Sequence, residues 1–263
     1  MTSATANQFR DPVEVRRRKI LGIASREGFV RQAEIAAELD VSTETVRRDL
    51  AALQEAGELT RIHGGAVVSS ATVRVEPARE ERSSAAAAQK AEIAVIAAGL
   101  LDPDDTLFLD VGTTAEAVAK ALPASFHGVV VTPSLPVGQI VGLRDDIELH
   151  LLGGRVRPRE LTTFGADTLA QIGSFNASIA LIGAGGIGAA GVSDYSGEDA
   201  AIKRAMIAQS ARSFVLAGYE KIGRTAPRSV CGLGDIDGII TDSVTDDAQL
   251  QPLTRPGLIL LRP

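Results

Sequence analysis

Tryptophan is absent from this 263-residue chain, and aromatic residues make up only 3% of it. A buried core must therefore be built from alanine, valine, isoleucine and leucine, within an apolar content of 45% that is ordinary for a globular protein. A single cysteine, Cys231, excludes an internal disulfide and any structural zinc site built on thiolates. Long apolar runs are missing too: residues 93–101 reach about half of the ~18 residues that a membrane span needs. Residues 177–192 are weakly apolar, but five glycines interrupt them. No basic, apolar and small-residue pattern opens the chain. What remains is the expectation of a soluble, cytoplasmic protein with no membrane partner, long enough for two domains.

The net charge of −6 is divided unevenly. Residues 1–69 carry ten Lys/Arg and ten Asp/Glu, and the remaining 17 and 23 lie beyond. Within the neutral part, Arg16, Arg17, Arg18 and Lys19 run together and Arg47 and Arg48 are adjacent. Because salt screens charges beyond ~8 Å, a local basic face can bind phosphate on a protein that is acidic overall. Most such runs are only solvated helix faces.

Helical spacing of Ile20, Ile23 and Ala24 predicts a helix over residues 13–27, stopped by Gly28. A second helix covers residues 33–39, and Ser42 caps a third that ends before Gly57. Residues 59–62 and 66–68 read as two short strands around His63-Gly64-Gly65. On the third helix Val46, Leu50 and Leu53 fall within ~60° of one another and face a core, while Glu44, Arg47 and Arg48 face out. Such a helix suits a DNA major groove, where arginine forks onto guanine and hydroxyls with N-terminal amides hold phosphate. Arg61 and His63 would stand on a wing beside the backbone. By spacing alone, an ordinary three-helix bundle with exposed arginines fits as well.

Beyond residue 69, Ser, Ala, Glu and Arg dominate, and residues 70–90 read as a linker running into a long helix that ends near Leu101. Apolar β-branched runs then alternate with helical stretches at 106–110, 129–132, 147–152, 178–182, 213–217, 236–241 and 258–261. The alternation predicts an α/β domain with a mainly parallel sheet. The first strand ends in Asp110-Val111-Gly112-Thr113-Thr114 ahead of a helix, which places free amides and two hydroxyls at a positive helix end. The turn suits an anion such as phosphate, and equally a plain helix cap. Thr132-Pro133-Ser134 ends the next strand, on the same sheet edge if the strands are parallel. Glu198, Lys203 and Lys221 supply charge further along, although single surface charges of this kind are usually solvated.

The stretch Val41-Ser42-Thr43-Glu44-Thr45-Val46-Arg47-Arg48-Asp49-Leu50, followed by Arg61-Ile62-His63-Gly64-Gly65-Ala66, resembles the winged helix-turn-helix of the DeoR family of bacterial transcription regulators. The order of elements over residues 75–242 is similar to that family's effector domain, which shares its fold with ribose-5-phosphate isomerase. The resemblance implies a small N-terminal winged helix-turn-helix domain (13–69), a linker (70–90) and a larger α/β domain for effector binding and oligomerisation (91–263). It further implies Ser42, Thr43, Thr45, Arg47, Arg48, Arg61, His63 and Gly64 at a double-stranded operator, with Asp49 orienting an arginine. Asp110, Gly112, Thr113, Thr114, Thr132, Ser134, Glu198, Lys203 and Lys221 would surround a phosphorylated sugar or related metabolite. The function implied is a non-enzymatic repressor of sugar or carbohydrate metabolism genes, working as a homodimer or homotetramer.

There are departures. The family commonly has aspartate where this chain has Gly185 and Gly188, and its Asp-x-Ser-Lys-Phe-Gly motif stands here as Gly218-Tyr219-Glu220-Lys221-Ile222-Gly223. Three carboxylates that accept from sugar hydroxyls are thus missing, and Glu220 is positioned to replace one. Gly183-Ala184-Gly185-Gly186-Ile187-Gly188 satisfies G-x-G-x-x-G, yet neither an immediate helix nor a downstream acidic strand end follows, so no dinucleotide is expected. No other cofactor and no metal is called for. The competing readings are a sugar-phosphate isomerase-like enzyme with an accessory helical domain and an α/β interaction module. The enzyme requires a general base over a carbon acid, for which Asp110 and Glu198 are the candidates.

Overall fold

The computed structural model describes residues 12–27, 29–55, 59–62, 65–68, 76 and 78–263. The chain divides into two compact units, residues 1–72 and 73–263.

In the first unit α1 (Pro12–Glu27) leads through β1 (Phe29–Arg31) into α2 (Gln32–Glu38). Asp40 takes a left-handed conformation (φ 51°) after α2, so that the Val41 N–H donates to Ala36 O at 3.0 Å and the helix closes. The Ser42 hydroxyl accepts from Thr45 N–H (3.1 Å) and starts α3 (Thr43–Glu55). Two strands, β2 (Leu59–Ile62) and β3 (Gly65–Val68), pair antiparallel, and β1 adds to β3 on its other side. Ile20, Ile23, Ile35, Val46, Leu50, Leu53 and Leu59 form its core. The helices and the hairpin lie where hydrophobic spacing predicts. Strand β1, only three residues long, has too short a pattern to show in the sequence.

The second unit opens with α4 (Arg79–Ser84) and α5 (Ala87–Ala98). The expected long helix is broken between them: Ala85 is extended (ψ 138°) and Ala86 left-handed (φ 52°). The Lys90 ammonium donates to the carbonyls of Arg82 and Ala85, satisfying groups that the break leaves without helical partners. Alanine composition alone carried no sign of this interruption. There follow β4 (Thr106–Leu109), α6 (Thr113–Ala121), β5 (Val129–Thr132), α7 (Leu135–Val141) and β6 (Glu148–Leu151). A hairpin of β7 (Arg155–Arg157) and β8 (Thr162–Phe164) precedes α8 (Ala166–Ile172) and β9 (Ala177–Gly183). Next come β10 (Gly186–Gly188), β11 (Gly191–Asp194), α9 (Gly197–Ala208), β12 (Ser210–Leu216), β13 (Arg228–Cys231), β14 (Gly238–Ile240), α10 (Asp247–Leu250) and β15 (Ile259–Leu261).

The main sheet has the order β15-β14-β12-β9-β4-β5-β6, and every pairing in it is parallel. All seven apolar runs predicted as strands lie in it. Alternation along each strand splits the core in two. Leu107, Leu109, Val130, Ile179, Leu181, Phe214 and Leu216 pack with residues of α5, α6 and α7. Phe108, Val131, Ala180, Ile182, Val215 and Ile239 point the other way, joining residues of α8 and α9. Smaller antiparallel pieces, β10-β11-β13 and β7-β8, had not been foreseen, because three- and four-residue strands rich in glycine or arginine lack a period-2 pattern.

From β4 the chain winds outward through β5 and β6, then returns to the opposite side of β4 to lay down β9, β12, β14 and β15. The neighbours β4 and β9 therefore form a topological switch point, where the following loops diverge and leave a crevice beyond the carboxyl ends of the strands.

Because Phe108 is wholly buried at the centre of the sheet, Phe108→Ala should cost about 3–5 kcal/mol in urea unfolding. Leu143→Ala, at a side chain 85% exposed, should change stability by less than about 0.5 kcal/mol.

Candidate functional site

On α3, Thr43, Glu44, Arg47 and Arg48 are exposed while Val46, Asp49, Leu50 and Leu53 are buried. The outward arginines are already engaged. Arg47 forks onto Glu44, Nε to Oε2 and Nη2 to Oε1 both at 2.7 Å, and Arg48 Nε reaches Oε1 at 3.2 Å. The hydrogen bond from Arg47, with help from Arg48, holds the Glu44 carboxyl at about 2, well below the carboxylate range. Ser42 and Thr45 share a hydroxyl contact at 2.8 Å and serve the helix start. Asp49 does bind arginines, but they are those of α1: Arg16 Nε donates to it at 2.6 Å and Arg17 Nε at 3.1 Å. Arg61 lies on β2 opposite Ala66, and His63 and Gly64 lie outside the described residues.

In the second unit a cavity of about 430 Å³ occupies the switch-point crevice. Its floor comes from the ends of three strands: Val111-Gly112-Thr113-Thr114 after β4, Gly183-Ala184-Gly185 after β9, and Leu216 with Gly218 at the end of β12. Gly112 has φ +100°, a conformation side-chain-bearing residues rarely adopt, and it turns the chain into α6 without any side-chain cap. The amides of the first turn of α6 and the two threonine hydroxyls thus border the cavity. At this helix end the macrodipole favours an anion.

A buried ion cluster contributes to the cavity wall through Lys203, Asp194 and Asp199. Lys203, on α9 and 2% exposed, donates to Asp110 Oδ2 at 2.5 Å and lies 3.3 Å from Asp194 Oδ2. Asp110 Oδ2 also accepts from Gly183 N–H at 2.8 Å, tying β4 to β9. Burial opposes the charge on Lys203, but Asp110, Asp194 and Asp199 outweigh it and hold the ammonium above its ordinary pKa. Burial likewise pushes the Asp110 and Asp199 carboxyls upward against the pull of Lys203.

Around the mouth stand Arg82 and Lys90 from the α4–α5 segment, Glu160 from the β7–β8 hairpin, and Tyr195, Glu220, Lys221 and Arg224. Burial lowers the pKa of the Lys221 ammonium, which lies 5.8 Å above the Tyr195 ring. The glycines that depart from the family pattern differ in their surroundings. A Cβ at Gly185 would stand 3.0 Å from the Tyr195 ring and 3.1 Å from Ala226 Cβ, whereas nothing lies within 4 Å of one at Gly188. The Glu220 carboxylate folds over Gly218, and its Oε2 is buried without a hydrogen-bond partner among the described residues.

Of the residues proposed from sequence, Gly112, Thr113, Thr114, Lys203 and Lys221 come together at the cavity. Asp110 lies wholly buried, committed to Lys203 and Gly183. Thr132 and Ser134 do not line it: the Thr132 hydroxyl accepts from Ser134 N–H, and the Ser134 hydroxyl caps α7 through Val137 N–H. Glu198 is more than half exposed, bonded to Ser196 and facing Arg157 at 3.8 Å. Its neighbour Asp199 is the one turned inward, a matter of helix phase that a single charged position could not reveal. Arg82, Lys90, Glu160, Asp194 and Tyr195 escaped the sequence reading; the first two were hidden in a stretch whose composition suggests a linker.

Two family models match the chain: a DeoR-like helix-turn-helix domain over residues 16–74 and a DeoR C terminal sensor domain over residues 85–243. Relatives align along nearly their whole lengths. The HTH-type transcriptional repressor GlcR of Bacillus subtilis (strain 168) is 31% identical, over 92% of this chain and 93% of its own. The glycerol-3-phosphate regulon repressor of Escherichia coli (strain K12) is 30% identical, over 89% and 93%. The lactose phosphotransferase system repressor of Streptococcus mutans is 32% identical, over 92% and 96%. Among solved structures, ribose 5-phosphate isomerase A of Methanocaldococcus jannaschii aligns with half of the chain and 52% of its own at 15% identity and a TM-score of 0.37. The chain belongs to the DeoR family of transcriptional regulators.

Two outcomes follow from these charges. Glu44→Gln removes the internal partner of Arg47 and Arg48, so duplex binding should tighten about threefold or more and its salt dependence should steepen. Unchanged binding in a titration at several salt concentrations would show that these arginines do not meet DNA. Lys203→Met leaves Asp110 and Asp194 buried without their cation and should cost about 3–5 kcal/mol at pH 7. A carboxyl whose pKa is raised by folding favours the folded state below its unfolded value of ~3.9, and that contribution is lost as the pH rises through the folded value. The deficit of Lys203→Met relative to the parent should therefore shrink as urea titrations move from neutral pH toward about pH 4.

Proposed function

We propose that this chain is a cytoplasmic repressor of sugar or carbohydrate metabolism genes, released from or fixed on its operator by a phosphorylated metabolite held in the switch-point cavity. Residues 13–69 read the DNA through Thr43, Arg47 and Arg48 on α3, with Ser42 and Thr45 at its N-terminus and Arg61, His63 and Gly64 on the wing. Residues 91–263 bind the ligand together with Glu76, Arg82 and Lys90 of the 70–90 stretch, which border the cavity; residues 91–263 form the homodimer or homotetramer, and the 70–90 stretch joins the two parts. Oligomerisation agrees with the small contact area of one winged helix, since specific operator binding usually pairs two half-sites.

The observation that carries the ligand reading is the uncapped N-terminus of α6 opening into a cavity of about 430 Å³, within the size range of small-molecule sites. A phosphate there receives amides from the first turn and hydroxyls from Thr113 and Thr114, and Lys221 supplies positive charge nearby. The enzyme reading has less support. Its candidate base Asp110 is committed to Lys203, and Glu198 lies outside the cavity.

The test is a pair of measurements on the full chain: thermal stability with glycerol 3-phosphate or inorganic phosphate, and binding to a duplex from the chain's own upstream region. A ligand at 100 times its Kd stabilises by about 2.7 kcal/mol. Replacing Thr113 and Thr114 together by Val keeps their shape and removes both hydroxyls. That variant should still bind the duplex and lose the response to phosphate compounds. An undiminished response would place the effector elsewhere, and turnover of pentose phosphates would establish the enzyme.

A further inference from the structure

Arg82 enters the cavity from α4 and is 15% exposed. Its Nη1 lies 3.2 Å from Glu76 Oε1, and its Nη2 bonds Glu160 Oε2. The same Nη1 would be 3.8 Å from a Cβ placed on Gly112. The guanidinium and the first turn of α6 therefore border one space from two sides. An anion seated on the α6 amides would meet the planar fork of Arg82, which matches phosphate geometry better than an ammonium does.

We propose that Arg82 is the guanidinium that receives the ligand's phosphate, and that Glu76 is the internal anion it gives up when the ligand arrives. The proposal rests on the anion reading of the cavity given above. Two carboxylates already share Arg82, and a phosphate is a third and stronger claimant. The surroundings decide which carboxylate leaves. Glu160 is held between β7 and β8, whose strands pair from Arg155↔Phe164 to Arg157↔Thr162. Arg82 itself is anchored at its carbonyl by Lys90, which fixes the end of α4 against α5. Glu76 belongs to no helix or strand, so its departure breaks no regular hydrogen bonding. It also stands in a negative neighbourhood: burial, with Glu160, Asp194 and Asp199, pushes its carboxyl pKa upward, and Arg82 is the cation that opposes this.

Glu76 lies four positions beyond Thr72, where the first unit ends. Exchange of Glu76 for phosphate on Arg82 therefore frees the peptide that joins the sensor unit to the DNA-binding unit. A shift of populations by differential affinity requires no more than this.

The experiment is calorimetric titration of the full chain with inorganic phosphate and with glycerol 3-phosphate, together with amide hydrogen exchange across residues 73–78. Glu76→Gln should bind both probes at least about threefold more tightly, and its exchange across 73–78 should be fast before any probe is added. Arg82→Gln should bind at least about tenfold more weakly. If that variant does not fold, Arg82→Lys, which keeps the charge and loses the fork, should bind more weakly than the parent. The proposal is overturned if Glu76→Gln binds no more tightly, if it tightens with exchange unchanged, or if the Arg82 variant binds like the parent. In each of these cases loss of binding in the double Thr113→Val, Thr114→Val variant would leave the anion site itself standing. A parent chain that binds neither probe removes both.

Discussion

The Lys203 ammonium, held in the wall of the cavity between Asp110 and Asp194, joins a helix to the ends of two strands of different sheets. Asp110 ends β4 and Asp194 ends β11, and Asp110 also takes the Gly183 amide at the end of β9. The two strands that meet at the switch point are thus pinned at the height where the cavity begins. Charge in a core needs a partner and satisfied hydrogen bonds to persist. Here the ion pairs tie α9 to the ends of β4 and β11, while Asp110 Oδ1 and Asp199 Oδ1 stay buried without a hydrogen-bond partner among the described residues. The remaining polar lining of the cavity consists of the turn into α6 with Thr113 and Thr114, and of Arg82, Lys90, Lys221 and Arg224 with their neighbouring carboxylates.

Each unit holds arginine side chains with carboxylates of its own, exposed on α3 and largely buried at the cavity. Glu44 takes Arg47 and Arg48 on α3, and Glu76 with Glu160 takes Arg82 at the cavity. An arginine so held is oriented before its partner arrives and loses less side-chain freedom on binding. The internal acid also lowers the net affinity for any stray anion.

Much of this was legible in the residues. Seven β-branched runs lay out the sheet, Ser42 marks the start of α3, and Asp110-Val111-Gly112-Thr113-Thr114 marks the turn from β4 into α6, because each follows from local chemistry that needs no tertiary context. What the residues concealed depended on phase or on distance. Glu198 and Asp199 are adjacent acids on one helix, and only the packing of α9 decides that the second turns inward. Thr132 and Ser134 have the composition of a binding turn, yet the backbone of α7 consumes them. Arg82 finds Glu160 78 positions away, a pairing that no local pattern records. The break at Ala85 and Ala86 is hidden for a similar reason, since alanine favours an unbroken helix and a lysine from the next turn stabilises the interruption.

Gly185 and Gly188 look alike as departures from the family's aspartates, but their surroundings impose different histories. The ring of Tyr195 and the methyl group of Ala226 fill the space beside Gly185, while the space beside Gly188 is open. An aspartate can enter at 188 in a single step. At 185 it meets a wall that has closed, and overpacking of this kind is destabilising. A side chain at 185 therefore requires Tyr195 and Ala226 to give way by a few tenths of an ångström, whereas one at 188 requires no such adjustment. The two positions are thus unequal: a larger residue at 188 leaves the aromatic wall of the cavity where it is, and one at 185 displaces it.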